Sequence, residues 1–172
     1  FENAKRLTPS LLLGNLQNPG EMISQLASFV ASLADKKGAP ILSELYAKLS
    51  SFRGSPKIRK LFTYLFQSAC QPLLDFIQKW IFSGIVDDPY SEFFIEVDEN
   101  ITPENQGPQY ESLFWEHKFK LVNYRIPKFI SMSAVNSILL AGKTIAVLTM
   151  CGLQMPSPPK ITLDALQRET VL

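Results

Sequence analysis

The stretch WIFSGIVDDPYSEFFIEVD, residues 80–98, changes its hydrophobic period partway along. Up to Ile81 the apolar residues keep helical spacing, with Leu73, Leu74, Ile77, Trp80 and Ile81 on one side. Gly84 follows as a helix stop, and Asp87-Asp88-Pro89 carries turn chemistry. From Tyr90 to Asp98 the chain is aromatic and β-branched, and Phe93, Ile95 and Val97 alternate with Phe94, Glu96 and Asp98. A helix gives way here to a strand, so the fold is helical with a β insertion.

Upstream, the helix that ends at Gly84 is long. Ser55-Pro56 opens it, with Ser55 as its cap, and Ile58, Leu61, Phe62, Leu65 and Phe66 make its first apolar stripe. Pro72 lies inside that pattern and predicts a kink or break near Ala69. Before it, Ile41, Leu42, Leu45 and Leu49 mark a helix from about Pro40 to Phe52, ended by Arg53-Gly54. Asn18-Pro19-Gly20-Glu21 reads as the start of a still earlier helix, with Met22, Leu26, Phe29, Val30 and Leu33 on its buried face. Gly38 reads as its stop, and residues 1–18 as a short lead-in with one helical turn around Pro9 to Leu13.

Downstream, Asn100 to Gln109 is a polar loop, and Phe114 to Val122 supplies a returning strand, giving a hairpin at about residues 90–125. Ile126-Pro127 ends it. Val135, Ile138, Leu139, Ile145 and Leu148 then predict a last long helix from Ser131 to Met150. Pro156, Pro158 and Pro159 form a linker over residues 153–172, in which Thr162 to Glu169 begins a further helix. The fold class is mostly α: a bundle or array of long antiparallel helices with one small β-hairpin insertion.

Composition narrows the function. Of 172 residues, 46% are hydrophobic and 19% charged, a globular composition with a net charge of +1, which lacks the basic footprint of a nucleic-acid binder. The apolar run Ser137 to Leu153 is interrupted by Lys143 and reads as a core helix, too short to cross a bilayer. Cys70 and Cys151 form no CxxC pair; both lie in apolar runs and read as buried, in a reducing cytosolic compartment. The chain does not open with Met and reads as an excerpt of a longer protein.

Chemistry-bearing motifs are weak. Ala141-Gly142-Lys143-Thr144 matches the tail of a phosphate-binding loop, but Ser137 stands where that motif needs its first Gly. The triplet also falls inside a helical pattern, where backbone N–H groups are already bonded. His117, the only histidine, reads as partly exposed on a strand without a GxSxG partner. Asp87, Asp88 and Glu92, like Asp98 and Glu99, read as turn formers. Lys57, Arg59 and Lys60, with Arg53, load positive charge onto the start of a helix, where the dipole disfavours it. No catalytic residue, metal site or cofactor site is expected.

The order of pieces from Trp80 to Gly152 carries a resemblance. Trp80-Ile81-Phe82-Ser83-Gly84, then Asp88 through Tyr90 to Glu92-Phe93-Phe94-Ile95, then Trp115, Pro127 and Phe129, then Ile138-Leu139-Leu140-Ala141-Gly142-Lys143-Thr144-Ile145 follow one another at plausible spacing. This resembles the end of the N-terminal GRIP1 region of gamma-tubulin complex proteins. The resemblance implies a helical-bundle scaffold that makes lateral contacts between complex components and so templates microtubule growth at centrosomes, spindle poles and other organising centres. Residues 1–152 would then be the end of that region. The partners implied are the neighbouring complex proteins, small accessory proteins, and gamma-tubulin through a C-terminal region outside this chain; neither nucleic acid nor membrane is among them. The motif residues Trp80, Gly84, Asp88, Tyr90, Glu92, Phe93, Phe94, Trp115, Pro127, Phe129, Gly142 and Lys143 are read as structural, with Glu92 and Lys143 as a candidate pair. The competing reading is a helical adaptor domain of unrelated origin; an enzyme built on His117 and the acidic turn is a third.

Overall fold

The computed structural model describes residues 9–52 and 55–153. It divides into two compact units, one ending at Lys36 and the other beginning at Lys37. The expected proline linker and final short helix lie outside the described residues, as do Arg53 and Gly54.

The first unit is built on α1 (Pro9–Ser32), which runs straight through Pro19. The helix start expected at Asn18-Pro19 is therefore corrected: the chain is helical from Pro9. A proline in a helix removes one N–H bond but does not end the helix when the turns on either side continue. Gly38 is not the stop of this helix. A turn follows Ser32, with Asp35 in the left-handed region (φ 64°), a conformation that aspartate tolerates better than most residues.

The second unit holds α2 (Ala39–Ser51), α3 (Pro56–Ser83), β1 (Ile95–Val97), α4 (Pro103–Gln106), α5 (Tyr110–Leu113), β2 (Phe119–Leu121) and α6 (Met132–Met150). Gly38 occupies the N-cap of α2. The described chain is thus mostly helical, with one two-stranded antiparallel sheet in which Ile95 faces Leu121 and Val97 faces Phe119. Two further bonds extend the ladder, Val122 N–H to the Phe94 carbonyl (2.9 Å) and Asp98 N–H to the Lys118 carbonyl (2.8 Å).

α3 is the axis of this unit. It stays one helix across Pro72, so the expected break does not occur. The carbonyl that Pro72 leaves unbonded belongs to Ser68, and both residues are exposed, so water can take the missing bond. Ser55 stands at the N-cap with extended backbone, but its side chain makes no capping bond. Gly84 closes the other end in the left-handed conformation (φ 66°, ψ 19°), its N–H reaching the Trp80 carbonyl at 2.9 Å.

The buried face of α3 carries Ile58, Phe62, Phe66, Cys70, Leu73, Leu74, Ile77 and Trp80. Phe62 meets Phe52 at 5.0 Å, and Phe66 meets Phe129 edge-on at 5.1 Å. Phe76 meets Phe93 at 5.7 Å. Fully burying such a ring contributes about 2–3 kcal/mol, so these aromatics dominate the core.

α6 begins at Ser131, whose hydroxyl accepts from the Ala134 N–H at 3.2 Å, and is 19 residues long. By length and composition it could cross a membrane, contrary to the expectation from Ser137–Leu153. Its small-residue face, including Ala134, Gly142 and Ala146, is nevertheless buried in the unit, with Trp80 of α3 against Gly142, as in a core helix.

Candidate functional site

Most of the motif residues converge where α3, α6 and the hairpin meet. Trp80 is fully buried, and its indole N–H donates to the Ile138 carbonyl of α6 at 2.8 Å. Its ring lies over Gly142, and Phe119 packs against it at 4.7 Å. One turn on, the backbone of Gly84 comes so close to Ala146 that a Cβ there would fall 2.6 Å from its Cα. Two glycines on two helices thus allow α3 and α6 to touch at backbone distance.

The turn between α3 and β1 is organised by Asp88. Its carboxylate accepts from the Glu92 N–H (3.0 Å) and the Phe93 N–H (2.7 Å), which aims the Phe93 and Phe94 rings into the core. The strand alternation expected there fails: both rings are fully buried, because regular pairing begins only at Ile95. Tyr90 points outward and is 82% exposed. Glu92 sits beside Gly38, at the α2 N-terminus, where its charge complements the helix dipole. It does not pair with Lys143.

Lys143 is 8% exposed and is the buried cation among the described residues. Its ammonium donates to the Trp115 carbonyl at 2.5 Å, and burial holds its pKa below the ordinary lysine range. That carbonyl is presented by a π-helical turn, Phe114–Lys118, where a straight strand was expected. Phe114 is buried in this turn, whereas Trp115 is 40% exposed and is not a core residue. Pro127 and Phe129 are buried beside α2 and α3, and the Lys128 N–H reaches the Ser43 hydroxyl at 3.1 Å.

Arg125 was not singled out in the sequence. Its guanidinium reaches the Phe93 carbonyl (3.5 Å) and Glu96 (3.9 Å), tying the chain after β2 back to β1. With Glu92 and Pro127 it borders an apolar cavity of about 200 Å³ between α2 and α3, lined also by Leu42, Leu73 and Phe76. No local sequence signal marks it, since the pairing depends on the hairpin register.

The candidate chemical residues are dispersed. His117 lies in the π-helical turn and not on a strand, exposed and 3.6 Å from Glu116. Asp87 pairs with Lys79 while Asp88 binds backbone, so the two carboxylates serve separate turns. Gly142-Lys143-Thr144 is mid-helix, with the Thr144 hydroxyl turned back to the Leu140 carbonyl. Cys70 is buried, but Cys151 is exposed, which corrects its reading as a core residue: it falls at the C-cap of α6, past the packed turns. Among the described residues no group of three His, Cys, Asp or Glu could hold a metal ion.

α1 has a feature of another kind. Leu13, Leu16, Gly20, Ile23, Ala27 and Val30 follow at spacings of three and four, the seam pattern of paired helices. The large members are exposed: Leu13 by 72%, Leu16 by 64%, Ile23 by 66% and Val30 by 64%. The buried Phe29 and the half-buried Met22 and Leu26 lie next to this seam, about a third of a turn around the helix, so the exposed seam and the buried stripe form one broad apolar face. Glu21 is the only charged residue between Pro9 and Ser32. That face is wider than the stripe the fold buries, which leaves the four large side chains of the seam uncovered.

The geometry is that of a mostly helical protein with glycine-mediated contacts between α3 and α6 and an exposed apolar seam on α1. The chain matches the family described as "Gamma tubulin complex component N-terminal" over residues 1–170 and belongs to that family. It is 31% identical over 135 residues to the spindle pole body component alp4 of Schizosaccharomyces pombe, covering 78% of this chain and 17% of that protein. It is 31% identical over 138 residues to gamma-tubulin complex component 2 of Mus musculus, covering 79% and 15%. Spindle pole body component 98 of Dictyostelium discoideum shares 34% over 146 residues, 84% and 17%. The chain therefore spans about one sixth of the length of these relatives.

Proposed function

We propose that this chain is a structural segment of a gamma-tubulin complex component, acting through lateral contacts between neighbouring components that template microtubule nucleation at centrosomes or spindle poles. The observation that carries the reading is the exposed seam of α1. A helix with one charge in 24 residues and four large apolar side chains facing water is stabilised by a second helix laid along it. The partner on this reading is a helix of an adjacent component. Gamma-tubulin itself is held by parts of the protein outside this chain, and small accessory proteins join the assembly. The work is positional, with no bond-making step assigned to any residue.

The test is co-purification from cell extract with the full-length protein, as wild type and as the double variant Leu16→Glu/Ile23→Glu. Neighbouring components are expected to be lost from the variant, with its far-ultraviolet circular dichroism unchanged and gamma-tubulin still bound. A variant that retains its neighbours in full would remove α1 from the contact. If the wild-type protein, shown to be folded, brought down no complex component, the adaptor reading would replace this one.

A further inference from the structure

The first turns of α3 carry a surface that neither the core nor the α1 seam explains. Between Glu44 and Asp75 the sequence has five basic residues and no acid. Lys57, Arg59 and Lys60 are all exposed, and none has an ion-pair partner among the described residues. The other cations of this unit between Lys79 and Arg125 are all engaged. Lys79 pairs with Asp87, Lys120 with Asp98 and Arg125 with Glu96, and Lys118 bonds Tyr110 and lies over its ring.

The charges are also badly placed for the helix itself. α3 has no acid in its first turn and no side-chain cap, so three cations crowd the positive end of a 28-residue dipole. No acid among the described residues pairs with them.

The shape of the surface is that of a helix groove. Pro56, Arg59, Lys60, Thr63, Tyr64 and Gln67 line one open furrow along α3, at the three- and four-residue spacing of a single face. Tyr64 adds an exposed ring at its middle. A furrow between such ridges accepts the ridge of another helix. Only a partner with acidic side chains would satisfy its rim.

We infer that this face of α3 docks an acidic helix of a partner protein, with Asp or Glu at three- or four-residue spacing against Arg59 and Lys60 and an apolar side chain against Tyr64. The furrow is short and its floor is neutral, which suits a protein helix better than the phosphate track of a nucleic acid. The inference rests on charge at α3 and is independent of the α1 seam.

The experiment places a photo-crosslinking amino acid at Gln67 in the full-length protein in cells and sequences the captured adduct. The expected adduct is a peptide with acids at that spacing. Its yield should fall about tenfold in the triple variant Lys57→Glu/Arg59→Glu/Lys60→Glu, as the loss of several exposed pairs implies. Exchanging the captured acids for lysine should restore it. A nuclease-sensitive adduct, a captured peptide without acids, a yield indifferent to the charge reversal, or no adduct from a folded protein would each overturn the inference. The Leu16→Glu/Ile23→Glu variant, which leaves α3 untouched, separates its failure from that of the α1 contact.

Discussion

A Cβ built on Gly142 would lie 1.8 Å from Cε2 of Trp80. The indole fills the space that any other residue at position 142 would need. It is anchored there by its bond to the Ile138 carbonyl and by Phe119 against it. The glycine and the tryptophan act as one joint, which sets how closely α3 and α6 approach.

Gly142→Ala should therefore destabilise the chain, although alanine is the better helix former by about 1 kcal/mol. The ring is rigid and buried, so it can yield only by leaving its hydrogen bond or by parting the helices. Overpacking of this kind costs about 1–3 kcal/mol and sometimes more. A net loss of about 1–2 kcal/mol is expected in urea unfolding, the cost falling in the upper part of that range because the ring is rigid, and Trp80 fluorescence should report the displaced ring. Unchanged or raised stability would mean that the helices separate freely at this point.

Asp88→Ala should cost about 2 kcal/mol, because two backbone N–H groups lose a charged acceptor at once. Asp88→Asn keeps one acceptor oxygen and should fall between alanine and wild type. The comparison is made by chemical denaturation of the three proteins. Equal stability of the two variants would show that charge, and not bond count, holds the turn.

The parts of this fold that were legible in the sequence are those fixed by local geometry. Gly84 could be read as the end of α3 because a left-handed residue after a helical stripe is nearly always glycine. Pro19 misled because proline is common at the first helical position, a signal that cannot show a helix already under way at Pro9, whereas Pro72 opens no break in α3. The returning strand was read too long, since the aromatic run at Phe114 is equally compatible with a π-helical turn. The roles of Lys143 and Arg125 arise from contacts across 28 and 32 residues of chain, beyond any periodicity. The seam on α1 was in the sequence all along; starting the helix at Pro19 left Leu13 and Leu16 out of it.

The two cysteines should separate cleanly in a thiol assay. Burial pushes the Cys70 thiol up to about 12, and the residue is fully buried on the inner face of α3, whereas Cys151 is exposed. At pH 8 only about one Cys70 in ten thousand is a thiolate. One equivalent of thiol should react rapidly with an aromatic disulfide reagent in native protein, and the second only on unfolding. Cys151→Ser should abolish the fast phase; two fast equivalents would show α3 open at its centre.

Lys143 makes stability depend on alkaline pH with a definite sign. Burial disfavours its ammonium, so the folded chain releases that proton at lower pH than the unfolded chain does. Between those two values the unfolded state holds more protons, and stability must rise with pH. Below the window both states are charged and the full burial penalty is present; above it the penalty is gone. The neutral amine still donates to the Trp115 carbonyl, so the contact survives deprotonation. In Lys143→Met this slope is absent. Urea midpoints of the two proteins, compared at pH 7 and at pH 9.5, should shift in favour of the wild type at the higher pH. A difference that stayed constant, or moved the other way, would mean that Lys143 reaches water and that its contact with Trp115 is a surface hydrogen bond.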